Sequence, residues 1–401
     1  MNNGVEQRSF EVSRIFTPTA PVDEKTLFAG RRVQLKKVID AVNQKGQHAV
    51  IYGERGVGKT SLANVLAAFL PTHRDRRVIT PRVNCDSLDT FTSVFEKAFR
   101  EIELVRRQSG IGFLPDERIE PLQAGDLIAG DYSPDNIRRA LSIVAQYLVP
   151  VIILDEFDRL KDEVKHSVAD TIKSLSDHAV DATIIVVGVA DTVGDLVREH
   201  ASIERALVQI PMPRMSKTEI SEIISTGVEH LGLEITENAL GGIHVLAQGL
   251  PHYAHLLGLY ASRIAIESGE SNITLVTIKR AIDLAVENSQ QSILNLYHLA
   301  TMSPRKDNLF TEVLTACAMA QTDQMGYFAA QDVRQPMRDI TMKDYEIPSF
   351  SQHLNEFTDE KRGPILKKIG TPRRYRFRFI NPLLQPYVIM QGCKIGLLDL
   401  Q

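Results

Sequence analysis

No apolar run in this chain reaches the ~18 residues that a membrane-spanning helix requires. The longest stretches, VPVIIL at 149–154 and TIIVVGVA at 183–190, have the length of strands. The opening residues, MNNGVEQRSFEVSR, are polar and lack the apolar core of a secretory signal. Only three cysteines occur, Cys85, Cys317 and Cys393, far apart and without C-x-x-C spacing. That scarcity excludes a disulfide framework and a zinc module, so free thiols in a reducing cytoplasm are the expectation. Nothing repeats internally, and 24 glycines with 18 prolines are too few for low-complexity linkers.

What remains is ordinary globular composition, 43% apolar and 24% charged over 401 residues, a length that predicts two or three domains. The net charge of −4 is unevenly spread: residues 301–401 carry 14 Lys/Arg against 11 Asp/Glu, which leaves −7 for residues 1–300. An anionic partner, if there is one, would meet the C-terminal part.

Residues 1–25 read as an irregular arm. A helical pattern covers 31–45. From 48 to 211, strand-like runs (48–52, 76–84, 149–155, 183–188 and 206–213) alternate with helical patterns (59–70, 88–105, 161–179 and 191–204), which predicts a parallel sheet between helices. Residues 106–134, with glycines and prolines throughout, break the rhythm and read as a long loop. Helices are predicted near 216–231, 236–248, 251–268 and 274–298, then near 307–321, 329–341 and 349–360. PILKKIG and TPRRYRFRFI close the pattern as a hairpin.

GERGVGKT at 53–60, followed by Ser61, fits G-x-x-x-x-G-K-[ST] between a strand ending at Tyr52 and a helix opening at Lys59. Such a loop turns its backbone N–H groups inward as an anion nest, and the helix N-terminus adds partial positive charge. Gly53, Glu54, Arg55, Gly56, Val57, Gly58, Lys59, Thr60 and Ser61 are the candidate nucleotide-binding residues. Lys59 would reach the β- and γ-phosphates and Thr60 would ligate Mg²⁺. At the end of the buried strand VIILDEFD, Asp155 is the second candidate metal ligand, and Glu156 would orient or deprotonate the attacking water. No N-K-x-D motif is present, which favours ATP over GTP.

Strand, P-loop, helix, DE-ended strand and helical segment together resemble the AAA+ ATPases. LFAGRRVQLKKV resembles the F-x-G-R-x-x-x-L box of origin-recognition, replication-licensing and STAND ATPases, and implies that Phe28, Ala29, Gly30 and Arg31 border the adenine. Gly249-Leu250-Pro251 is similar to the G-x-P motif of STAND proteins, which places Pro251 on the nucleotide. The resemblance implies an α/β fold: a P-loop AAA+ sheet at 26–213, a helical lid at 214–300 and a winged-helix domain at 301–401, after the arm at 1–25. It also implies an oligomer, homo- or hetero-, joined through the ATP interface. Arg205, just before the fifth strand, stands where AAA+ proteins carry an arginine finger; Arg198 is a second choice, and an ion pair with Glu204 or Glu199 is the plain alternative. Two departures appear. Asp191 is the sole polar candidate for the sensor after the fourth strand. The arginine expected at the start of the lid's third helix is missing, with His252 and His255 nearby. Slow or partner-dependent hydrolysis follows if the sensors are absent.

KRGPILKKIGTPRRYRFR at 361–378 holds eight basic residues and no acid. Alternation puts Tyr375, Phe377 and Phe379 on one side of a strand and Arg374, Arg376 and Arg378 on the other. With Lys367, Lys368 and Arg373 these arginines are the candidate contacts to a phosphate backbone. Ser351, Gln352 and Asn355 on the preceding helix are placed to face bases, although Glu356, Asp359 and Glu360 would repel phosphate. The alternatives are a solvated edge or a protein-docking wing. Two functions follow: an ATP-hydrolysing switch that engages duplex DNA, or a STAND-type signalling or defence ATPase whose winged helix contacts a protein partner. A small-molecule kinase suits neither the Asp155–Glu156 pair nor the extra domains.

Overall fold

The computed structural model describes residues 2–18, 29–70, 72–73, 75–108, 118–197, 203, 205–304, 308–323, 325–372 and 374–400. Helix α1 (Asn2–Ile15) leads into α2 (Arg32–Val42), β1 (His48–Gly53), α3 (Lys59–Phe69), β2 (Thr72–His73), β3 (Arg76–Ile79), β4 (Arg82–Asn84) and α4 (Phe91–Arg100). A hairpin, β5 (Glu103–Gln108) and β6 (Arg118–Gln123), precedes α5 (Pro134–Val144), β7 (Leu148–Asp155), α6 (Asp162–Asp177), β8 (Thr183–Val189), the short α7 (Val193–Leu196) and β9 (Leu207–Pro211).

The sheet order is β2–β3–β7–β8–β1–β9, with β4 also beside β7, and every pairing is parallel except β2 with β3. This is a mostly parallel α/β sheet, the class that the sequence predicts. The central strands are buried on both faces, which explains their continuous runs of valine and isoleucine. Strand register brings the chain's turning points level: Gly53 lies opposite Val189, and Asn84 opposite Asp155. The carboxyl ends of β1, β4, β7 and β8 therefore share one edge, the edge where open α/β sheets bind ligands.

Helices α8 (Lys217–His230), α9 (Glu237–Ala247), α10 (Pro251–Glu267) and α11 (Leu275–Glu287) come next, with a short parallel pair β10 (Glu234–Ile235) and β11 (Asn272–Ile273). Ser216 and Glu219 form the capping box that the sequence predicts for α8. The chain ends with α12 (Gln291–Thr301), α13 (Phe310–Met319), β12 (Phe328–Ala329), α14 (Ala330–Thr341), α15 (Ile347–Glu356), β13 (Leu366–Ile369), β14 (Arg376–Phe379) and α16 (Leu384–Lys394). Strands β12, β14 and β13 form an antiparallel sheet with β14 central. Phe377 and Phe379 are buried beneath it against Phe328, as the alternation predicts, while Tyr375 lies outside the strand and half-buried. Among the described residues no helix is long and apolar enough to cross a membrane.

Five local expectations fail. The expected irregular arm contains α1, which buries Val12 and Phe16 against α10; its apolar residues are too sparse to stand out by periodicity alone. Residues 76–84 are two strands, because Pro81 has no N–H for the ladder. The long loop at 106–134 contains the β5–β6 hairpin, whose strands are arginine- and glutamate-rich, and residues 109–117 lie outside the described set. The helix expected at 191–204 is the four-residue α7, with 198–202 and 204 outside the described residues. The single helix expected at 274–298 is broken after Glu287, where Asn288 and Ser289 turn their side chains back onto the carbonyls of Leu284 and Ala285.

Candidate nucleotide site

At the carboxyl edge of the sheet, β1 stops at Gly53, whose φ of 155° and close approach to Met212 O leave no room for a side chain; an added Cβ would sit 2.4 Å away. Gly58, with a φ of 91°, turns the chain into α3. The loop places Lys59 inside, 8% exposed, with Nζ donating to Gly53 O at 3.0 Å and Glu54 O at 2.8 Å. Burial pulls the Lys59 ammonium down to about 8, against the opposing pull of Asp158, Asp155 and Glu54. A buried cation whose hydrogen bonds among the described residues go to two carbonyls is poised to exchange them for an anion.

Thr60 Oγ1 donates to Asp155 Oδ2 at 3.0 Å, so the hydroxyl and the carboxylate converge on one point. Arg82 on β4 donates to the same Asp155 Oδ2 at 2.7 Å, and Asp155 Oδ1 takes the Glu156 N–H at 2.8 Å. Glu156 has a left-handed φ of 54°, uncommon for a residue with a Cβ, and it turns its carboxylate outward to Arg159 at 2.6 Å. Asp158 accepts the N–H of Val189 at 2.8 Å and so fastens the end of β8 to the acidic segment.

Lys59, Thr60, Asp155, Glu156, Asp158 and Arg159 face one cavity of about 590 Å³, the size range of small-ligand clefts. Its lining includes Arg55, Gly56, Gly58, Lys59, Thr60 and Ser61 together with Asp155, Glu156, Asp158 and Arg159. Thr17, Pro18, Ala29, Arg31, Met215, Ile223, Pro251, His252 and His255 line the same cavity. Pro251 stands over the loop, 3.6 Å from where a Gly58 Cβ would be. The chemistry of the donor set fits a magnesium-escorted triphosphate: a hydroxyl and a carboxylate for the metal, a lysine and a helix N-terminus for the phosphates.

Other expected residues play different parts. Gly53 and Val57 shape the loop without lining the cavity. Glu54 turns away to Arg214, 2.5 Å, which also reaches Gln385 of α16 at 2.7 Å. Gly30 and Arg31 receive Glu222 and Glu219 on their backbone N–H groups, each at 3.0 Å. Arg31 is 1% exposed and its guanidinium donates to the carbonyls of Val57 and Pro213. It ties the loop to the segment after β9, and burial lowers it to about 10. Phe28 and Arg198 lie outside the described residues. Arg205 is exposed just before β9 and does not line the chain's own cavity.

Sequence reasoning missed Arg82, Arg159 and Leu383. Arg159 was legible as an i, i+3 partner of Glu156. Arg82 reaches Asp155 only through strand pairing. Leu383, from the C-terminal unit, lines the same cavity, with its Cδ2 3.1 Å from where a Gly56 Cβ would be; its carbonyl accepts Tyr253 Oη at 2.6 Å.

The basic segment is largely engaged. Arg378 meets Asp191 at 2.7 Å and Lys367 meets it at 3.2 Å, so Asp191 binds the C-terminal sheet, two residues past β8. Arg376 pairs with Asp323 at 2.9 Å. Lys368 donates to Asn355 at 2.7 Å and lies 3.8 Å over the Tyr375 ring. Arg374 is exposed, and Arg373 lies outside the described residues.

A family model described as an AAA domain matches residues 42–193. The chain matches no curated protein. Among solved structures it is similar to the ORC2 protein of Aeropyrum pernix, at 16% identity over 96% of this chain and 98% of that one, TM-score 0.49. It is similar also to Cdc6p of Pyrobaculum aerophilum, at 13% identity over 96% and 99%, TM-score 0.46. A Walker-type ATPase of Pyrococcus abyssi matches at 15% identity over 93% and 99%, TM-score 0.49.

Proposed function

We propose that this chain is a Mg²⁺-dependent ATPase that works as a conformational switch. One observation carries the reading. Five residues of the loop at 53–60, the acids Asp155 and Glu156, and Pro251 after α9 all face a single cavity, with Thr60 and Asp155 3.0 Å apart where a metal would sit. Lys59 and the loop amides would hold the β- and γ-phosphates. Thr60 and Asp155 would hold Mg²⁺, which supplies charge neutralisation at the phosphate oxygens when bound. Glu156 would orient the attacking water once its carboxylate leaves Arg159. Arg205, exposed and outside its own cavity, suits an arginine given to a neighbouring subunit's site. Hydrolysis is expected to be slow in the isolated chain, because Glu156 rests on Arg159 and Arg205 needs a neighbour. The test is phosphate release: Glu156→Gln should retain ATP and lose turnover, and turnover equal to the parent would remove Glu156 from the role of base.

The C-terminal unit, helices α13 to α15 with the β12–β14–β13 sheet, reads as a winged helix. Its basic strand supports duplex DNA as the partner. The ion pairs of Lys367 and Arg378 with Asp191 support the second reading, in which the wing serves as a protein-contact element of a STAND-type switch. Sizing the protein with ATP and with ADP, each with and without duplex, separates them: assembly that requires DNA favours the first, and ATP-dependent assembly indifferent to DNA favours the second.

A further inference from the structure

Helix α1 ends beside the cavity, which Thr17 and Pro18 line. Phe16 is 1% exposed and fills a socket floored by Gly227 of α8 and Gly258 of α10, where any Cβ would lie within 2.6 Å of the ring. That seat fixes the next two residues against α10. The Thr17 N–H donates to His255 Nδ1 at 3.3 Å, and His252 Nδ1 lies 2.6 Å from Pro18 O.

Those two contacts set the tautomers. An amide N–H only donates, so His255 Nδ1 is unprotonated and its Nε2 carries the hydrogen. A carbonyl only accepts, so His252 Nδ1 carries the hydrogen and its Nε2 presents a lone pair. Both rings are neutral near pH 7, since burial pulls His255 down to about 4 and His252 below its ordinary value. Among the described residues neither Nε2 has a hydrogen-bond partner, neither is a buried orphan, and both residues line the cavity. Ala29, Met215, Ile223 and Pro251 line the same cavity and supply apolar wall of the kind a flat ring requires.

We propose that His252 and His255 read a purine edge as a fixed acceptor–donor pair selecting adenine. The inference rests on the ATP reading of the site. Adenine sets its N6 amino donor beside a ring acceptor, N1 or N7, and complements the pair. Guanine offers two acceptors on its N7 edge, so in the same seat its O6 faces a lone pair. A mismatched buried polar pair discriminates far better than lost apolar contact. The N-terminal helix is thus part of the binding site: its seat decides which hydrogen each imidazole shows.

Calorimetric titration of the full chain with ATP, GTP, 1-deaza-ATP and 7-deaza-ATP near pH 7.5 tests this. Asn in place of each histidine keeps a polar group near the Nδ1 position and removes the far edge of the ring that carries Nε2. The wild type should prefer ATP to GTP. His252→Asn and His255→Asn should each lower that ratio on the order of five-fold, the value of one neutral hydrogen bond. One deaza analogue should bind the wild type more weakly than ATP, and that deficit should vanish in His255→Asn. A ratio unmoved by both variants, two deaza analogues equal to ATP, or a preference for GTP would each overturn the proposal. Failure of the underlying reading looks different: no nucleoside triphosphate binds, or binding ignores Lys59→Ala.

Discussion

The seat of Phe16 yields a quantitative prediction. Removing a buried phenylalanine ring costs about 3–5 kcal/mol, and forcing an extra methyl into a filled core costs about 1–3 kcal/mol. Were the two sites independent, Phe16→Ala with Gly258→Ala would cost about 4–8 kcal/mol. They are not independent, because the Gly258 Cβ would stand 2.5 Å from Phe16 Cε1. In Gly258→Ala the methyl expels the ring, whereas in the double variant it occupies part of the hole the ring vacates. The double variant should therefore cost no more than Phe16→Ala alone, with a coupling of at least about 1 kcal/mol of compensating sign, well outside the ~0.3–0.5 kcal/mol scatter of additive pairs. Urea titration of the four proteins measures the coupling, and hydrogen exchange of α10 separates local release of α1 from global unfolding. Additivity within that scatter would refute the socket. Phe16→Ala should also weaken ATP binding, since the same ring positions Thr17 and Pro18 on the two histidines.

Three further outcomes are expected. His48 is fully buried, its Nδ1 accepting the Ile184 N–H at 2.9 Å and its Nε2 without a partner, and burial lowers it to about 3. A histidine held neutral by the fold contributes fully above its unfolded pKa of about 6.5 and loses that contribution as pH falls toward 3, at up to about 1.4 kcal/mol per pH unit. Melting curves of His48→Asn should lack that part of the acid slope seen in the wild type; equal slopes would contradict the burial argument. Asp191→Asn should free Lys367 and Arg378, tighten duplex binding at low salt, and steepen the slope of log affinity against log salt by up to about 1.8, at ~0.9 per phosphate. An unchanged slope would mean that those two residues never meet phosphate. Arg82→Ala should sharpen the need for Mg²⁺ in ATP binding, measured as affinity with and without the metal, because Asp155 would then lack its resident cation.

The core of the fold was legible because its signals are local. Continuous apolar runs mark strands buried on both faces, GERGVGKT states its own backbone requirement, and two acids after VIIL mark a strand end at the ligand edge. The capping box at Ser216 and the alternation at Phe377 and Phe379 are equally local. What escaped depends on distant partners. Helix α1 is held by two glycines more than 200 residues away, so its own pattern was weak. Arg82 meets Asp155 through strand pairing, Leu383 reaches the P-loop from the far end of the chain, and Asp191, a sensor candidate by position, is committed to Arg378 and Lys367. Alternation separated the arginines of β14 from its buried phenylalanines but carried no information on which carboxylates neutralise them.

Direct titration of the purified chain with ATP and Mg²⁺, beside Lys59→Ala, bears most simply on the nucleotide assignment. One nucleotide per chain should bind the parent, and the variant, having lost the buried ammonium that faces the phosphate nest, should show none. ATP held equally well by Lys59→Ala, or by neither protein, would rule that assignment out.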